Sequence, residues 1–193
     1  MADQGSMSAE ELRRIMEAAR DELVKWGIDR FSVSTMADRH GLDPAVIRKH
    51  WGDCPNRLIL DVLARWPGED MAPPDSGDLR TDLYWLATGM ANYLDSEPGR
   101  TLQMAHLIED QKLPSVDLRR TAWRLRAGTV RVVLDRARLR GELRDGVDVF
   151  IALEMLFAPI NMRVLFTGEL VDDDYCRSVS DLVWHAVRTD GHR

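Results

Sequence analysis

The sequence predicts an all-α protein with two helical domains joined by a linker. Apolar residues recur about every three to four positions along most of the chain, as on the buried side of a helix, and strand-like alternation is nearly absent. Residues 67–78 contain three prolines and two glycines and cannot hold a helix. With 193 residues, of which 45% are hydrophobic, the chain can bury a sizeable core. The predicted organisation is a domain over residues 1–66, a linker over 67–78 and a domain over 79–193.

The first predicted helix starts after Ser8 and stops at Gly27. Ser8 and Glu11 have the spacing of a capping box, in which the side chains of both residues satisfy free backbone N–H groups at the start of a helix. Glycine commonly follows the last helical residue because it tolerates the left-handed conformation there. One side of this helix carries the apolar stripe Leu12, Ile15, Met16, Ala19, Leu23 and Trp26.

Three shorter helices are predicted between the first helix and the linker. The second ends at a glycine, and the third opens with an Asp-Pro pair, an N-cap residue followed by a proline that fits the first turn. Their predicted limits are Ser32 or Ser34 to Gly41, Asp43-Pro44 to near Gly52, and about 56–66.

Five helices are predicted after the linker. Asp78 is a suitable N-cap for the first of them, which carries an apolar stripe and ends at the sequence Ser-Glu-Pro-Gly. The stretch from Val149 to Phe166 is long and apolar, but Glu154, Asn161 and Arg163 interrupt it, so a buried helix is predicted rather than a membrane span. The stripe is Leu79, Leu83, Leu86, Met90, Tyr93 and Leu94, and the later helices are expected at about 100–110, 115–140, 148–167 and 173–188.

Residues 34–50 have the spacing of a helix-turn-helix. Small and apolar residues lie where the two helices would meet, and Gly41 permits the positive φ that a tight turn requires. The exposed side of the second helix could then enter a DNA major groove. The residues assigned to the interior are Met36, Ala37, Leu42, Val46 and Ile47, and those assigned to the exposed side are Asp43, Pro44, Ala45, Arg48, Lys49 and His50.

Residues 15–51 resemble the N-terminal signature of the TetR family of transcriptional regulators. That signature is an apolar helix ending in glycine, an aromatic residue, the pairs Ser/Thr-Val, Ile/Met-Ala and Gly-Val/Leu, and a recognition helix closed by an aromatic residue. Independently, the sequence that starts at Leu134 and runs through the apolar helix to the final amphipathic helix resembles the end of a common TetR ligand-binding domain. The residues that match the N-terminal signature are Ala18, Ala19, Leu23, Gly27, Phe31, Ser32, Val33, Met36, Ala37, Gly41, Leu42, Ile47 and Trp51.

The resemblance implies a cytoplasmic, homodimeric repressor that binds an operator in double-stranded DNA. Its N-terminal helix-turn-helix domain would read DNA, and its C-terminal helical domain would bind a ligand and dimerise. A two-fold dimer places two recognition helices in successive major grooves. A small-molecule effector would favour a conformation in which the two helices are wrongly spaced, and so release the DNA.

The chain departs from the family pattern at three places. Arg48 stands where the family usually has a tyrosine that contacts a phosphate, and Trp51 replaces the usual phenylalanine. The run Cys54-Pro55-Asn56-Arg57 replaces a backbone-contacting lysine and has one extra residue. Because a guanidinium group suits phosphate, Arg48 and Arg57 are predicted to take over these contacts. The predicted DNA-contacting residues are Ser34, Thr35, Asp43, Pro44, Ala45, Arg48, Lys49, His50 and Arg57.

The candidate ligand residues lie on apolar helix faces of the C-terminal domain. Effector pockets are mostly apolar with a few polar groups, and plain core packing is the alternative role for the same side chains. The candidates are Met90, Met104, Trp123, Phe157 and Met162.

The long helix over about 115–140 carries a basic run. A solvated face that pairs with acidic neighbours such as Asp172, Asp173 and Asp174 is the favoured interpretation, and binding of nucleic acid or of an anionic effector is the alternative. The arginines of this run are Arg119, Arg120, Arg124, Arg126, Arg131, Arg136, Arg138 and Arg140.

The last two helices are predicted to form the dimer interface. The helix over 148–167 is apolar nearly all round, which is more than one small domain usually covers, and the last helix adds a second apolar stripe. Pairing both helices with their copies gives an isologous four-helix interface, whereas packing within the same chain is the alternative. The predicted interface residues are Phe157, Tyr175, Val179, Leu182, Val183 and Ala186, with Val179 and Leu182 near the middle.

The remaining sequence features argue against other classes of protein. The chain has no Ser-His-Asp or HExxH arrangement and no glycine-rich phosphate loop, so no enzyme activity is predicted. The two cysteines, Cys54 and Cys176, predict neither a metal site nor a disulfide, and no cofactor is expected. The start of the chain has no apolar run typical of a signal peptide, which favours a cytosolic location.

Net charge leaves a second hypothesis open. The chain carries −6 overall, and residues 1–66 are close to neutral, so DNA affinity has to come from a local basic face. The alternative is a TetR-like sensor or interaction protein whose DNA contacts have decayed.

Overall fold

The computed structural model describes residues 7–27, 30–53, 55–65, 73–104 and 116–189. Within these ranges the regular structure is helical, as predicted, and Leu143 and Arg188 form a single antiparallel bridge. Contacts divide the chain into two compact units. The first unit comprises Met1–Arg65 and Thr101–Ala122, and the second comprises Trp66–Arg100 and Trp123–Arg193. Half of the predicted linker, residues 67–72, lies outside the described residues, and 73–78 contain no helix.

The helices of the first unit have the caps that the sequence predicts. The Ser8 hydroxyl accepts a hydrogen bond from the backbone N–H of Glu11 at 3.1 Å. Of the two candidate serines, Ser32 is the N-cap of the second helix. Gly41 adopts the left-handed conformation with φ 60° and ψ 43°, which residues with a Cβ atom rarely adopt. The helices are α1 (Ala9–Trp26), α2 (Val33–His40), α3 (Pro44–Trp51) and α4 (Pro55–Arg65).

The helices of the first unit enclose a small apolar core. Helix α1 packs against α2 and α4, and α3 packs against α2 and α4. This arrangement fixes α3 from one side and leaves its other side exposed. The buried apolar residues are Ile15, Ala18, Ala19, Leu23, Phe31, Met36, Ala37, Ile47, Trp51, Leu58, Ile59, Val62 and Leu63.

The later helices agree with the predicted pattern except at two places. One helix was expected over about 100–110 but begins at Glu97, and residues 105–110 lie outside the described residues. The Ser96 hydroxyl accepts a hydrogen bond from the Gly99 N–H at 3.0 Å, and Pro98 fits the first turn, where its missing N–H costs nothing. The helices are α5 (Leu79–Asp95), α6 (Glu97–Met104), α7 (Val116–Leu139), α8 (Val149–Asn161) and α9 (Asp173–Val187).

The second difference follows α8, where the expected helix over 148–167 changes type. Pro159 lies inside α8, and a π-helix continues from Met162 to Thr167 before Gly168 ends it in the left-handed conformation. A proline removes one backbone donor and crowds the preceding turn, so a local change of helix type beside it is expected.

The second unit is held together by α5, which packs against α8 and α9. All six residues of the predicted α5 stripe are buried, which confirms that prediction. A buried polar cluster ties the start of α5 to the segment after α7. There, one Glu142 carboxylate oxygen accepts the Leu79 N–H at 2.7 Å and the other pairs with Arg140, whose guanidinium lies 3.8 Å from buried Asp82.

The segment Val149–Thr167 is long and apolar enough to cross a membrane by length and composition. One helix of this kind is a weak indication, since core helices share the same properties. A third of its apolar window (33%) is buried within the chain. Parts of the segment therefore present apolar side chains at the surface.

Candidate DNA interface, sensor cluster and dimer surface

The exposed side of α3 carries the basic residues of the helix-turn-helix. Arg48, Lys49 and His50 are exposed, whereas Ile47 and Trp51 on the opposite side are buried. A helix with this division presents hydrogen-bond donors outward while apolar contacts hold it in place. The structure therefore places these three residues where the sequence predicts, and their contact with DNA stays a prediction.

Hydrogen bonds fix both ends of α3. At its start, the Asp43 carboxylate accepts the Ala45 N–H at 2.7 Å. Near its end, the Trp51 indole N–H donates to the Asp61 carboxylate of α4 at 2.9 Å, and the His50 ring lies edge-on to Trp51 with 4.4 Å between centroids. These contacts give α3 a defined orientation within its unit.

The other predicted DNA contacts lie at helix starts around α3. Ser34 and Thr35 are exposed in the first turn of α2, Ala45 is exposed and Pro44 is half-buried at the start of α3. Arg57 is exposed near the start of α4, while Cys54 lies outside the described residues. These positions stay predictions as well.

One buried carboxylate, which lies behind the turn between α2 and α3, was not among the residues that the sequence singled out. Glu22 of α1 is 5% exposed, yet it accepts a hydrogen bond from the Arg39 guanidinium at 2.7 Å and lies 3.4 Å from His40 Nε2. Arg39 also lies over the Trp26 ring, 5.0 Å from its centroid. His40, the last residue of α2, is half-buried and contacts Glu22.

The sequence carries a signal for this contact. Glu22 lies seven residues after Ile15 and beside Leu23, so it falls on the core-facing stripe of α1. A charged residue at such a position is rarely buried without a partner. Arg39 and His40 at the end of α2 are those partners.

The candidate ligand residues divide into two groups. Met90 and Phe157 are buried, and Trp123 is half-buried with its ring edge-on to Phe157 at 6.5 Å between centroids and an interplanar angle of 87°. Met104 and Met162 are exposed. The structure therefore joins Trp123 to Phe157 and leaves two of the five candidates at the surface.

The predicted dimer residues also differ in exposure. Phe157, Val179 and Val183 are buried in the core of their own unit, and Tyr175 and Ala186 are half-buried. Leu182 is 71% exposed. Their role in a dimer stays a prediction, and Leu182 is the member with the largest free apolar surface.

Two apolar residues of α8 that are not among the predicted dimer residues are exposed. Ile151 is 55% and Met155 is 45% exposed, and their spacing of four residues places them on one face. The helix is apolar nearly all round, so periodicity alone could not show which face the chain itself leaves uncovered.

Comparison with known proteins identifies the chain's relatives. The family described as "Tetracyclin repressor-like, C-terminal domain" matches residues 73–183. The chain is 30% identical over 180 residues to the uncharacterized HTH-type transcriptional regulator YdeS of Bacillus subtilis (strain 168), covering 91% of this chain and 87% of that protein. The chain belongs to the TetR family.

Further relatives agree with this assignment. The HTH-type transcriptional regulator AqdR of Rhodococcus erythropolis is 23% identical over 156 residues, covering 80% of this chain and 74% of that protein. The crystal structure of the TetR family regulator SCO0332 has a TM-score of 0.72 at 24% identity, covering 92% of this chain and 98% of that one. The SmeT–triclosan complex has a TM-score of 0.59 at 21% identity, covering 94% and 93%. At these identities the structural likeness concerns the fold.

Membership of the TetR family establishes the general function. The protein is a DNA-binding transcriptional regulator, and its family is one of regulators rather than enzymes. Its N-terminal helix-turn-helix and C-terminal helical domain are the architecture that the sequence predicts.

The second unit of this TetR-family regulator, here also called its C-terminal unit, contains one further contact between two side chains that the sequence did not predict. The Arg126 guanidinium of α7 lies 5.8 Å from the ring centroid of Tyr93 on α5. Burial raises the pKa of the Tyr93 phenol to about 12 and lowers the pKa of Arg126. Both shifts arise because a poorly hydrated environment disfavours the charged form of each group.

Other arginines of α7 behave as a solvated face. Arg131 and Arg138 pair with Asp135 at 2.9 Å and 3.6 Å, and Arg136 lies 3.4 Å from Asp75. Asp173, expected as a partner, instead pairs with Arg177 within α9 at 2.8 Å. The favoured interpretation of the basic run therefore describes these three arginines, with partners close in sequence or near the start of α5.

Proposed function

We propose that this TetR-family regulator is a homodimeric repressor that binds a two-fold operator through α3 and leaves it when an effector binds the C-terminal unit. The observation that carries the proposal is the exposure of Arg48, Lys49 and His50 on a helix whose other side is fixed by buried Ile47 and Trp51. A rigid helix with outward donors is the arrangement that helix-turn-helix proteins use in the major groove.

Recognition of DNA combines two kinds of contact. Arg48 and Lys49 supply cations for base edges and phosphates, with the guanidinium able to bind two acceptors at once. Ser34, Thr35 and Arg57 surround α3 with further donors for the phosphate backbone. Since the unit is close to neutral overall, these local donors account for the affinity, and its dependence on salt is modest.

Dimerisation is proposed to use a surface made by α8 and α9, here called the α8–α9 surface and defined by Ile151, Met155 and Leu182. Tyr175 on α9 faces α8, because its hydroxyl donates to the Pro159 carbonyl at 3.4 Å. Leu182 follows Tyr175 by seven residues, two helical turns, and so shares its side of α9. Asp181, the residue before Leu182, pairs with Arg80 of α5 at 2.7 Å on an adjacent side of α9.

A second copy fits the α8–α9 surface best because the exposed residues are apolar. Two copies related by a two-fold axis would bury each other's residues in an isologous four-helix contact. The same dimer holds two α3 helices at a fixed separation, which binding to successive major grooves requires.

Effector control requires a difference in affinity between two conformations. A ligand that binds the released conformation more tightly shifts the population toward it, and equal affinity for both would shift nothing. One solved structure of SmeT is a complex with triclosan. A site in the C-terminal unit of this chain is proposed by analogy, and the cytoplasm is the compartment where such a regulator meets chromosomal DNA.

Selection of genomic fragments by the purified protein tests the proposal. We expect enrichment of a short site with two-fold symmetry, bound at physiological salt about a thousandfold or more tighter than unrelated DNA. The control is the Arg144→Ala variant, which removes an exposed arginine of the C-terminal unit and should enrich the same site as the wild type. Enrichment of no site, with the wild type folded and dimeric, would favour the sensor with decayed DNA contacts.

A further inference from the structure

The exposed residues of α3 lie at different angles from its buried side. Ile47 and Trp51 are buried and hold the helix in its unit. Successive residues of an α-helix are turned by about 100°, so Lys49, two residues from each, lies about 160° around the helix from both. Arg48 and His50 each lie about 60° from one buried residue and about 100° from the other. Lys49 therefore points directly away from the core, and its two neighbours occupy the flanks of the helix.

Ala45 shares the side of Lys49. It is exposed, precedes Lys49 by four residues and is turned only about 40° from it. It also lies one turn nearer the start of α3, and the N-terminal residues of a recognition helix are the ones that contact base edges. The Ala45 N–H donates to the Asp43 carboxylate, which fixes this turn. The middle of the exposed side therefore carries a methyl group followed by an ammonium group.

Each of these two groups has a preferred partner in the major groove. An ammonium group donates to N7 and O6 of guanine, the commonest specific contact of lysine and arginine. A methyl group finds its apolar partner in the 5-methyl group of thymine. The α-carbons of Ala45 and Lys49 are about 6 Å apart along the helix axis, close to the rise of two base pairs. A thymine and a guanine about two base pairs apart would satisfy both side chains.

The flanks of α3 face the walls of the groove rather than its floor. A helix in the major groove has a sugar-phosphate strand on each side. The Arg48 guanidinium on one flank and the His50 ring on the other are exposed donors that suit phosphate oxygens. Contacts to phosphate fix the register of a helix on DNA but carry no direct sequence information.

We propose that Lys49 and Ala45 determine the base specificity of this regulator, whereas Arg48 and His50 bind phosphates and position α3. Lys49 binds a guanine of each half-site, and Ala45 contacts the methyl group of a nearby thymine. This inference rests on the proposed function, in which α3 enters the major groove, and it names two of the bases that the operator contains.

Selection from a random duplex library tests the role of Lys49 in the full-length protein. The wild type should select half-sites in which one guanine is preferred about tenfold or more over other bases. Lys49→Gln should change this preference to adenine, because a carboxamide pairs with N6 and N7 of adenine, and Lys49→Arg should keep guanine. Arg48→Ala should select the same site and bind it less tightly, with the slope of log affinity against log salt reduced by about one.

A change of the preferred base at one position is a result that a loss of stability would not produce. A Lys49→Gln protein that still selects guanine overturns the assignment, and so does an Arg48→Ala protein whose preferred bases change. A folded wild type that selects no site overturns the proposed function and this inference with it. A selected site with the same preferred bases in wild type and Lys49→Gln overturns this inference alone.

Replacing single thymines of the selected site by uracil tests Ala45, because this change removes only the methyl group. At one thymine of the half-site, the wild type should bind the uracil operator about fourfold less tightly, the effect of one lost methyl contact. Ala45→Gly should bind both operators equally. Each ratio is taken within one protein, so the lower helix propensity of glycine cancels, and a thymine outside the half-sites is the control. An unchanged ratio in Ala45→Gly, or equal binding of all uracil operators by the wild type, overturns the role of Ala45.

Discussion

The exposed side of α3 and the α8–α9 surface illustrate two uses of an uncovered helix face. Arg48, Lys49 and His50 present charged or polar donors, whereas Ile151 and Leu182 present branched apolar side chains. The donors can stay hydrated until phosphate or base edges replace the water. The apolar groups gain free energy only when another apolar surface covers them. The difference fits the two proposed roles, which need donors for a polyanion on the first face and an apolar surface for a second copy on the other.

The largest expected effect comes from placing charge on the α8–α9 surface. The Ile151→Glu, Leu182→Glu double variant should be monomeric at micromolar concentration, because dimerisation would bury four carboxylates without partners. We expect the dimer to lose more than about 5 kcal/mol, measured by sedimentation velocity.

The choice of Leu182 rather than Val179 for this variant depends on which residues of α9 are exposed. Leu182 is exposed, whereas Val179 is buried in its own unit, so a glutamate at 179 would unfold the protein rather than report on the dimer. Arg144→Glu provides the control for an added exposed carboxylate. If the double variant stays folded and dimeric, the interface lies elsewhere.

The second effect concerns the α3 face. Arg48→Ala combined with Lys49→Ala should weaken operator binding by about 2–5 kcal/mol, since each good base or phosphate contact contributes about 1–3 kcal/mol. Fluorescence anisotropy over a range of salt concentrations measures both the affinity and its salt dependence, which should also fall. Unchanged affinity in a folded double variant removes these residues from the DNA interface.

The third effect concerns the buried carboxylate that supports α2. Glu22→Gln keeps a hydrogen-bond acceptor and loses the charge, so the free energy of unfolding should fall by about 1.5–3 kcal/mol, the range for hydrogen bonds to charged groups. Urea denaturation gives this value, and Glu17→Gln, at an exposed position of α1 paired with Arg13, should change it by less than about 0.5 kcal/mol. Equal effects of the two substitutions would contradict a structural role for Glu22.

The smallest effect concerns Tyr93. Its folded-state pKa is raised to about 12, above the ordinary value of 10.0. The contribution of the protonated Tyr93 to stability is therefore fully present below pH 10 and is lost as the pH rises from 10 toward 12. Between pH 9 and 11 the wild type should lose about 1 kcal/mol more than Tyr93→Phe, which cannot ionise. Denaturation at the two pH values measures the difference. An identical loss in both proteins would contradict a raised pKa for Tyr93 in the folded state.

Local features of the sequence determined much of the fold. Ser8, Asp43 and Asp78 start helices as predicted, and Gly41 forms the left-handed turn of the helix-turn-helix. These features act within a few residues, through a side chain that caps a free N–H or a backbone that tolerates positive φ. The exposed positions of Arg48 and Lys49 follow from the same local periodicity.

Only the tertiary structure decided which neighbour covers each helix face. Periodicity grouped Val179, Leu182 and Val183 in one stripe, but packing buries the two valines and exposes the leucine. Periodicity also could not predict the contacts of Glu22 with Arg39 and of Arg126 with Tyr93. Arg39 lies 17 residues after Glu22, and Tyr93 lies on a different helix from Arg126. The helical repeat specifies which side chains share a face, whereas burial and charge pairing depend on contacts between segments distant in sequence.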